Sequence, residues 1–400
     1  MTEPDDPQDL AKAAQLLEFQ VLSKSERRRM ARMAAEPTHG ETAQQRRTRH
    51  TRLIKQWGIA AGFSRIGIAR ASALPDEQEH LQHWLDAGRH GPLLWMAEDA
   101  ARRCDPQLIV PDARCVIVAA LDYNPPGPRT RECDLPGEDR VWISRYAWGE
   151  DYHLVLQSKL RQWSQTVRER LTRELGGAFR RPTTATGEGN PHTGPFDPPK
   201  DFRWSVDFAP VHERAWAQIA GLGWRGKHTL LLHPKAGSLF FLATVITTLD
   251  LDVDEPFSAD MCGSCTACIT VCPTQAIVAE RVVDARRCLS AITIESEGAI
   301  AAELREQLHD QAFGCDLCQD VCPWNRFAPP VQEPRLAPRE GMVAPRRQEL
   351  LTLTEEQFRK QFARSPLLRR GHAGVMDNLR AIGEARGLGP DPAAAEPSGD

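Results

Sequence analysis

MCGSCTACITVCP, residues 261–273, and FGCDLCQDVCPWN, residues 313–325, carry seven cysteines whose spacing decides how this chain is read. The first stretch places Cys262, Cys265, Cys268 and Cys272 in the run C-x2-C-x2-C-x3-C, closed by Pro273. The second sets Cys315, Cys318 and Cys322 ahead of Pro323, and Cys288 stands between them in DARRCLSAITIE, residues 284–295. In bacterial two-cluster ferredoxins the last cysteine of such a run ligates the other cluster. Applied here, that rule groups Cys262, Cys265, Cys268 and Cys322 on one 4Fe–4S cluster and Cys272, Cys288, Cys315 and Cys318 on the other. Such a chain moves electrons one at a time. Structural zinc prefers two separated cysteine pairs, without a third cysteine spaced as Cys268 is. Disulfides need an oxidising compartment, whereas the opening MTEPDDPQDL has no basic stretch leading into an apolar core. Thiolate-held clusters point to a reducing, cytoplasmic setting. Cys104, Cys115 and Cys133 lie outside the arrays, and Cys115, opening an apolar strand, reads as core.

The 400 residues leave room for two or three domains with a sizeable core. A hydrophobic share of 41% with 26% charged residues is globular composition. The longest apolar stretch, SLFFLATVITTL (238–249), is too short to span a bilayer, so no membrane partner is expected. Net charge is −4, which excludes a globally basic nucleic-acid binder. Basic runs near Arg27–Arg32, Arg46–Arg52 and Arg369–Arg370 read first as solvated faces.

The pattern along the chain predicts an α+β fold. Residues 1–48 form a charged N-terminal extension, helical around Leu10–Leu22. From 49 to 257 runs a first domain, its ordered part beginning near Arg52. LIKQWGIAAGF predicts a helix, SRIGIARA a strand and DEQEHLQHWLDAG a second helix; RCVIVAALDY and RVWISRYA read as strands. Residues 151–175 give a long amphipathic helix, and 178–203, rich in Pro, Gly and Thr, an inserted surface loop. FRWSVDF reads as a strand, VHERAWAQIAGLG as a helix, and HTLLLHP with SLFFLATVITTL as a hairpin turned at KAG. The double-cluster module occupies 258–328, linker and C-terminal helices 329–388, and a disordered tail 389–400. GLGWRGKH (221–228) matches G-x-G-x-x-G, but a helix precedes it and a strand follows, the reverse of a dinucleotide site. His228 also stands where a P-loop needs a hydroxyl.

Taken together, RYAWGEDYH (145–153), SVDFAPVHERAWAQIAGLGWRGKHTLLLHPKAGSLFFL (205–242) and the cysteine arrays resemble the epoxyqueuosine reductase family across about Arg52–Gly387. The resemblance implies a cobalamin-binding, α/β-sandwich-like domain related to that of reductive dehalogenases, a two-cluster ferredoxin-like module and a short C-terminal helical segment. It implies reduction of an epoxide to an alkene on a modified base at the tRNA wobble position. The cofactors would be two 4Fe–4S clusters and base-off cobalamin; no D-x-H-x-x-G occurs to supply a histidine ligand to cobalt. The partners would be the tRNA anticodon loop bearing epoxyqueuosine and an external low-potential electron donor, acting on a monomer.

Clusters deliver single electrons, so a reduced cobalt would carry the carbon–oxygen cleavage while protein supplies position and protons. The family's V-D-T-G-P-V-x-E-R-A motif falls on Val206–Ala215, making Asp207 the implied proton donor, its proton affinity raised beside an apolar corrin. Phe208 and Ala209 replace the usual Thr-Gly. Alone, Asp207 would read as a helix cap. The resemblance also implies cobalamin contacts at Arg103, Ser144, Arg145, Asp151 and the segment Gly221, Gly223, Gly226 and Lys227. Asp151 equally suits a helix N-cap, and Arg145 a surface ion pair. RNA contacts are implied at Arg286, Arg287, Arg369, Arg370, His372 and Asn378, against a plain reading as surface charge. Rival readings are a dehalogenase-like reductase, a cobalamin enzyme with another substrate, and a ferredoxin-type carrier. The last leaves some 200 residues before Cys262 without work.

Overall fold

The computed structural model describes residues 40–129, 139–171, 202–298 and 300–388. The expected helix at Leu10–Leu22, Cys133, most of the 178–203 insertion and the tail from 389 lie outside the described residues.

The first domain holds α1 (Ala43–Ala60), β1 (Arg65–Arg70), α2 (Pro75–Asp86), α3 (Ala100–Cys104), β2 (Cys115–Asp122), β3 (Trp142–Ile143), α4 (Tyr152–Leu171), β4 (Phe202–Ser205), α5 (Glu213–Ile219), β5 (Trp224–Arg225), β6 (Leu231–Leu232) and β7 (Phe240–Thr247). Four strands form a sheet in the order β1-β2-β7-β4, every neighbour antiparallel. Strand β2 is buried along its whole length because both faces of the sheet are covered. Side chains alternate across a strand. Cys115, Ile117, Ala119 and Leu121 therefore meet the core under α1 and α4, with Trp57 and Trp163. Val116, Val118 and Ala120 meet the core under α5, with Trp216 and Ala217. Gly58 lets α1 close down, since a Cβ there would stand 2.9 Å from the Trp163 ring. Each large apolar side chain buried this way contributes about 1.5–3 kcal/mol.

Three expectations change. Helix α1 starts at Ala43, so it runs through the 48/49 boundary and past Arg52. A capping box of Thr42 and Gln45 stops it upstream, and Arg47 pairs with Asp252 at 2.9 Å. HTLLLHP and SLFFLATVITTL are not a hairpin. Leu231–Leu232 pairs with Trp224–Arg225, while β7 lies between β2 and β4. The turn at KAG closes locally, His233 bridging Gly237. The strand read in RVWISRYA shortens to β3, which leaves the main sheet to pair in parallel with the module beyond residue 260.

That module contains α6 (Ala267–Val271), the hairpin β8 (Ile277–Ala279) and β9 (Val282–Val283), α7 (Leu289–Glu295), β10 (Gln311–Phe313) and α8 (Leu317–Asp320). Strand β10 is the partner of β3. The C-terminal α9 (Glu355–Gln361) and α10 (Gly371–Ala385) join the same core as Trp142, Leu289 and Phe313 through Phe358, Val375, Leu379 and Ile382. Among the described residues no helix is long and apolar enough to cross a membrane.

Candidate electron-transfer and acid site

Helix termini bring the eight array cysteines into two neighbourhoods. Cys322 lies within electrostatic reach of Cys262, Cys268 and Cys265. Cys315 faces Cys288 and Cys272, and Cys318 faces Cys315, Cys288 and, across the gap, Cys268. Backbone N–H groups aim at the sulfurs: Ala276 donates to Cys272 Sγ at 3.2 Å, Leu317 to Cys315 and Trp324 to Cys322. Burial pushes the Cys268 thiol up to about 11 and Cys322 up to about 12. Loading them with metal therefore releases protons. Among the described residues no three His, Cys, Asp or Glu close tightly enough around one point for a single ion. A cubane carries its irons at the corners and needs a wider cage. Cys265 is the exposed member of the first set.

The second set is tied to the first domain by residues expected at a cofactor. Ser144 Oγ donates to Asp316 Oδ1 at 2.5 Å, and the Arg145 backbone N–H donates to Asp316 Oδ2 at 2.8 Å. Trp142 Nε1 adds a third donor at 3.0 Å, and the Arg145 guanidinium pairs with Asp320. Asp316 and Asp320 flank Cys318 within C-D-L-C-Q-D. Two carboxylates set between ligand cysteines were the signal for this latch. Ser144 and Arg145 are thus buried in an inter-segment ion pair.

The glycine segment is likewise consumed inside the protein. A Cβ on Gly221 would stand 2.7 Å from the Glu255 carbonyl, and one on Gly223 1.9 Å from that of Leu232. One on Gly226 would meet Leu232 Cδ1 at 2.7 Å. Close packing of protein on protein accounts for all three. Lys227 Nζ donates to the Gly263 carbonyl at 2.7 Å and pairs with Glu280.

Asp207 sits two residues beyond β4, at φ +54, a left-handed turn that aspartate tolerates better than most residues. Its side chain is 52% exposed, so protein alone does not supply the expected apolar burial. Three neighbours converge on it. The Tyr152 hydroxyl donates to Oδ2, His153 Nε2 stands 3.8 Å from the same oxygen, and Glu213 Oε1 accepts from the Asp207 N–H at 3.3 Å. Burial, and then the charge of Asp207, pushes both the Tyr152 phenol and the Glu213 carboxyl well up. Asp151 accepts from the His153 backbone at 2.9 Å and from its Nδ1 at 2.8 Å, capping α4 while orienting the imidazole. Phe208 lays its ring 4.8 Å from His153. Tyr152, His153 and Glu213 carried no assigned role at the sequence level; their positions in DYH and HERA were the available signal.

Arg103 remains close by. It is 9% exposed, its carbonyl accepts from His212 N–H at 3.0 Å, and its Nη2 donates to the Trp95 carbonyl at 2.7 Å. Its buried Nε has no hydrogen-bond partner. A chain of aromatic contacts leads from this site toward the second cysteine set. Tyr152 lies 4.3 Å from Phe241 and Phe241 4.5 Å from Tyr123, which accepts from Gln319 Nε2 at 3.3 Å.

The six basic or polar residues expected at RNA divide. Arg286 and Arg287 are exposed, Arg286 pairing with Asp284. Arg369 pairs with Glu295 on a half-exposed face, and Arg370 reaches the Gly298 carbonyl. His372 Nε2 lies 2.8 Å from the Leu353 carbonyl. Asn378 is wholly buried, donating to the Thr293 and Ala312 carbonyls at 2.8 and 2.9 Å. It joins α10 to the cluster module, because a buried amide must satisfy its hydrogen bonds internally, and it offers no RNA surface.

The family model "4Fe-4S double cluster binding domain" matches residues 261–325, and "Epoxyqueuosine reductase QueG, DUF1730" matches residues 103–180. The chain is 38% identical to an epoxyqueuosine reductase of Cellulophaga algicola, over 83% of this chain and 97% of the relative. A crystal structure of an epoxyqueuosine reductase with an epoxyqueuosine-modified tRNA-Tyr stem loop superposes with a TM-score of 0.70 at 26% identity, covering 85% of this chain and 82% of that one. A Bacillus subtilis epoxyqueuosine reductase, solved with its catalytic aspartate loop swung out of the active site, gives 0.68 at 26% identity over 83% and 80%.

Proposed function

The chain belongs to the epoxyqueuosine reductase family, and from that premise we propose how its own residues reduce epoxyqueuosine to queuosine in tRNA. The reaction removes the epoxide oxygen as water and takes up two electrons and two protons. Electrons arrive singly through an iron–sulfur module. In this reading Cys262, Cys265, Cys268 and Cys322 hold one 4Fe–4S cluster, and Cys272, Cys288, Cys315 and Cys318 the other.

Cobalamin would supply the carbon–oxygen cleavage when bound, since reduced cobalt is a strong nucleophile and electron donor. The residues near Asp207 fit such a group. The carboxylate is half exposed, and Arg103, whose carbonyl accepts from the His212 N–H on the same segment, carries a buried Nε without a partner. Arg103 and the Val206–Ala209 loop would hold it. Ser144, Arg145, Gly221, Gly223, Gly226 and Lys227 are spent on contacts within the protein, and Asp151 acts through His153.

Asp207 donates a proton to the departing oxygen. The observation that carries this reading is the convergence of Tyr152, His153 and Glu213 on one exposed carboxylate. Tyr152 and His153 fix its orientation. Glu213, whose raised proton affinity keeps a hydrogen beside Asp207, helps return it to the acid form. The catalytic aspartate loop that swings in the Bacillus subtilis relative supports giving this role to a residue on a loop.

The substrate is tRNA, by analogy with the relative bound to a tRNA stem loop. Its phosphates meet Arg286, Arg287, Arg369 and Arg370, while residues 43–257 hold the reacting base, 258–328 the clusters and 329–388 the C-terminal helices. The enzyme works as a cytoplasmic monomer fed by an external low-potential donor. Deleting the gene and assaying cellular tRNA tests the whole reading. Epoxyqueuosine should accumulate, and an unchanged queuosine content would overturn the assignment. Anaerobic protein with about eight irons per chain but no affinity for any B12 species would remove cobalamin from it.

A further inference from the structure

Trp224 is 1% exposed, and its indole Nε1–H donates to Cys262 Sγ at 3.4 Å. Its ring meets Trp324 edge-on at 5.0 Å and lies 5.6 Å from Phe257. Trp324 follows Cys322 by two residues, but its own N–H goes to the Met261 carbonyl at 3.2 Å. Two indoles therefore wall one side of the first thiol set, and that of Trp224 aims its polar edge at sulfur.

The donor is held from outside the ligand-bearing segment. Trp224 belongs to β5, whose pairing with β6 depends on Gly223 at φ +142. No Cβ fits there, because it would stand 1.9 Å from the Leu232 carbonyl. Lys227, on the same hairpin, grips the Gly263 carbonyl between Cys262 and Cys265 at 2.7 Å. The hairpin thus clasps the ligand loop at two points.

An N–H aimed at a cluster thiolate withdraws electron density from the sulfur. It stabilises the reduced cluster, the more negative state, more than the oxidised one, and so raises the potential. Burial keeps water from competing, which strengthens the effect. We infer that Trp224 is a tuning residue whose indole N–H raises the reduction potential of the cluster on Cys262, Cys265, Cys268 and Cys322, making that potential depend on how the 224–232 hairpin seats. The inference rests on reading those thiols as cluster ligands.

Trp224→Phe keeps the aromatic wall and removes the donor. In anaerobically reconstituted protein, EPR-monitored redox titration should show one midpoint potential moving to lower values while the other stays. Trp324→Phe, which removes an N–H bound to a carbonyl, should leave both in place. Equal shifts of both midpoints, no shift, or the same shift in both variants would overturn the proposal. Should Trp224→Phe lose iron, replacing every tryptophan by 5-fluorotryptophan strengthens the donor instead. One midpoint should then rise, and its constancy would overturn the idea. A parent protein with fewer than two cluster signals would defeat the ligand reading itself, a separate outcome.

Discussion

Asp207 and Glu213 are bound to each other across one turn of chain: the Asp207 backbone N–H donates to Glu213 Oε1 at 3.3 Å, and burial, then the charge of Asp207, raises the Glu213 carboxyl's hold on a proton. The pairing keeps an acid next to an exposed carboxylate that the Tyr152 hydroxyl orients.

Asp207→Asn retains size and hydrogen bonding to Tyr152 but cannot donate a carboxylic proton. Single-turnover alkene formation under anaerobic conditions should fall by about 10²- to 10⁴-fold, the usual contribution of a positioned acid. Cluster spectra should not change. Normal turnover would remove Asp207 from the acid role.

Glu213→Gln tests the pair through stability. A carboxyl whose folded proton affinity is raised stabilises the fold below the ordinary carboxylate range, and that contribution is lost as pH rises through the raised value. Glutamine has no such loss. The variant should melt above the parent at neutral and alkaline pH, with the gap closing as pH falls toward about 4. A pH-independent gap would contradict the raised affinity.

Asp316 takes three hydrogen bonds from Trp142, Ser144 and Arg145 in a buried setting. Asp316→Ala strands the Arg145 cation beside Asp320 alone and should cost on the order of 3–5 kcal/mol in denaturant unfolding of the cluster-loaded protein. Ser144→Ala removes one neutral donor and should cost about 1 kcal/mol. Equal, small losses would mean that the latch does not hold the second ligand loop to β3.

Arg287 and Asn378 should separate RNA binding from folding. Arg287→Ala should weaken tRNA-stem-loop binding and reduce the salt slope by about 1, with unfolding unchanged. Asn378→Ala leaves the Thr293 and Ala312 carbonyls without donors and should cost about 1–3 kcal/mol of stability, with binding unchanged in the folded fraction. A binding defect in Asn378→Ala at full stability would return that residue to the RNA surface.

Cysteine spacing alone pointed to the iron–sulfur electron-transfer module. Ligand geometry constrains spacing along the chain, and spacing is a one-dimensional property. Periodicity likewise located β2, α1 and α4, because alternation and helical stripes are local signals. Only the tertiary structure decided which polar residues face an open site. Ser144, Arg145 and the glycines of 221–226 look like ligand contacts in sequence, yet long-range packing turns them inward, onto Asp316, Asp320 and the Leu232 and Glu255 carbonyls. The same packing sends β3 to β10 rather than to the main sheet, and brings Tyr152 to Asp207 across 55 residues. Contacts at such separations depend on how the layers close over a shared core, and no local pattern encodes that.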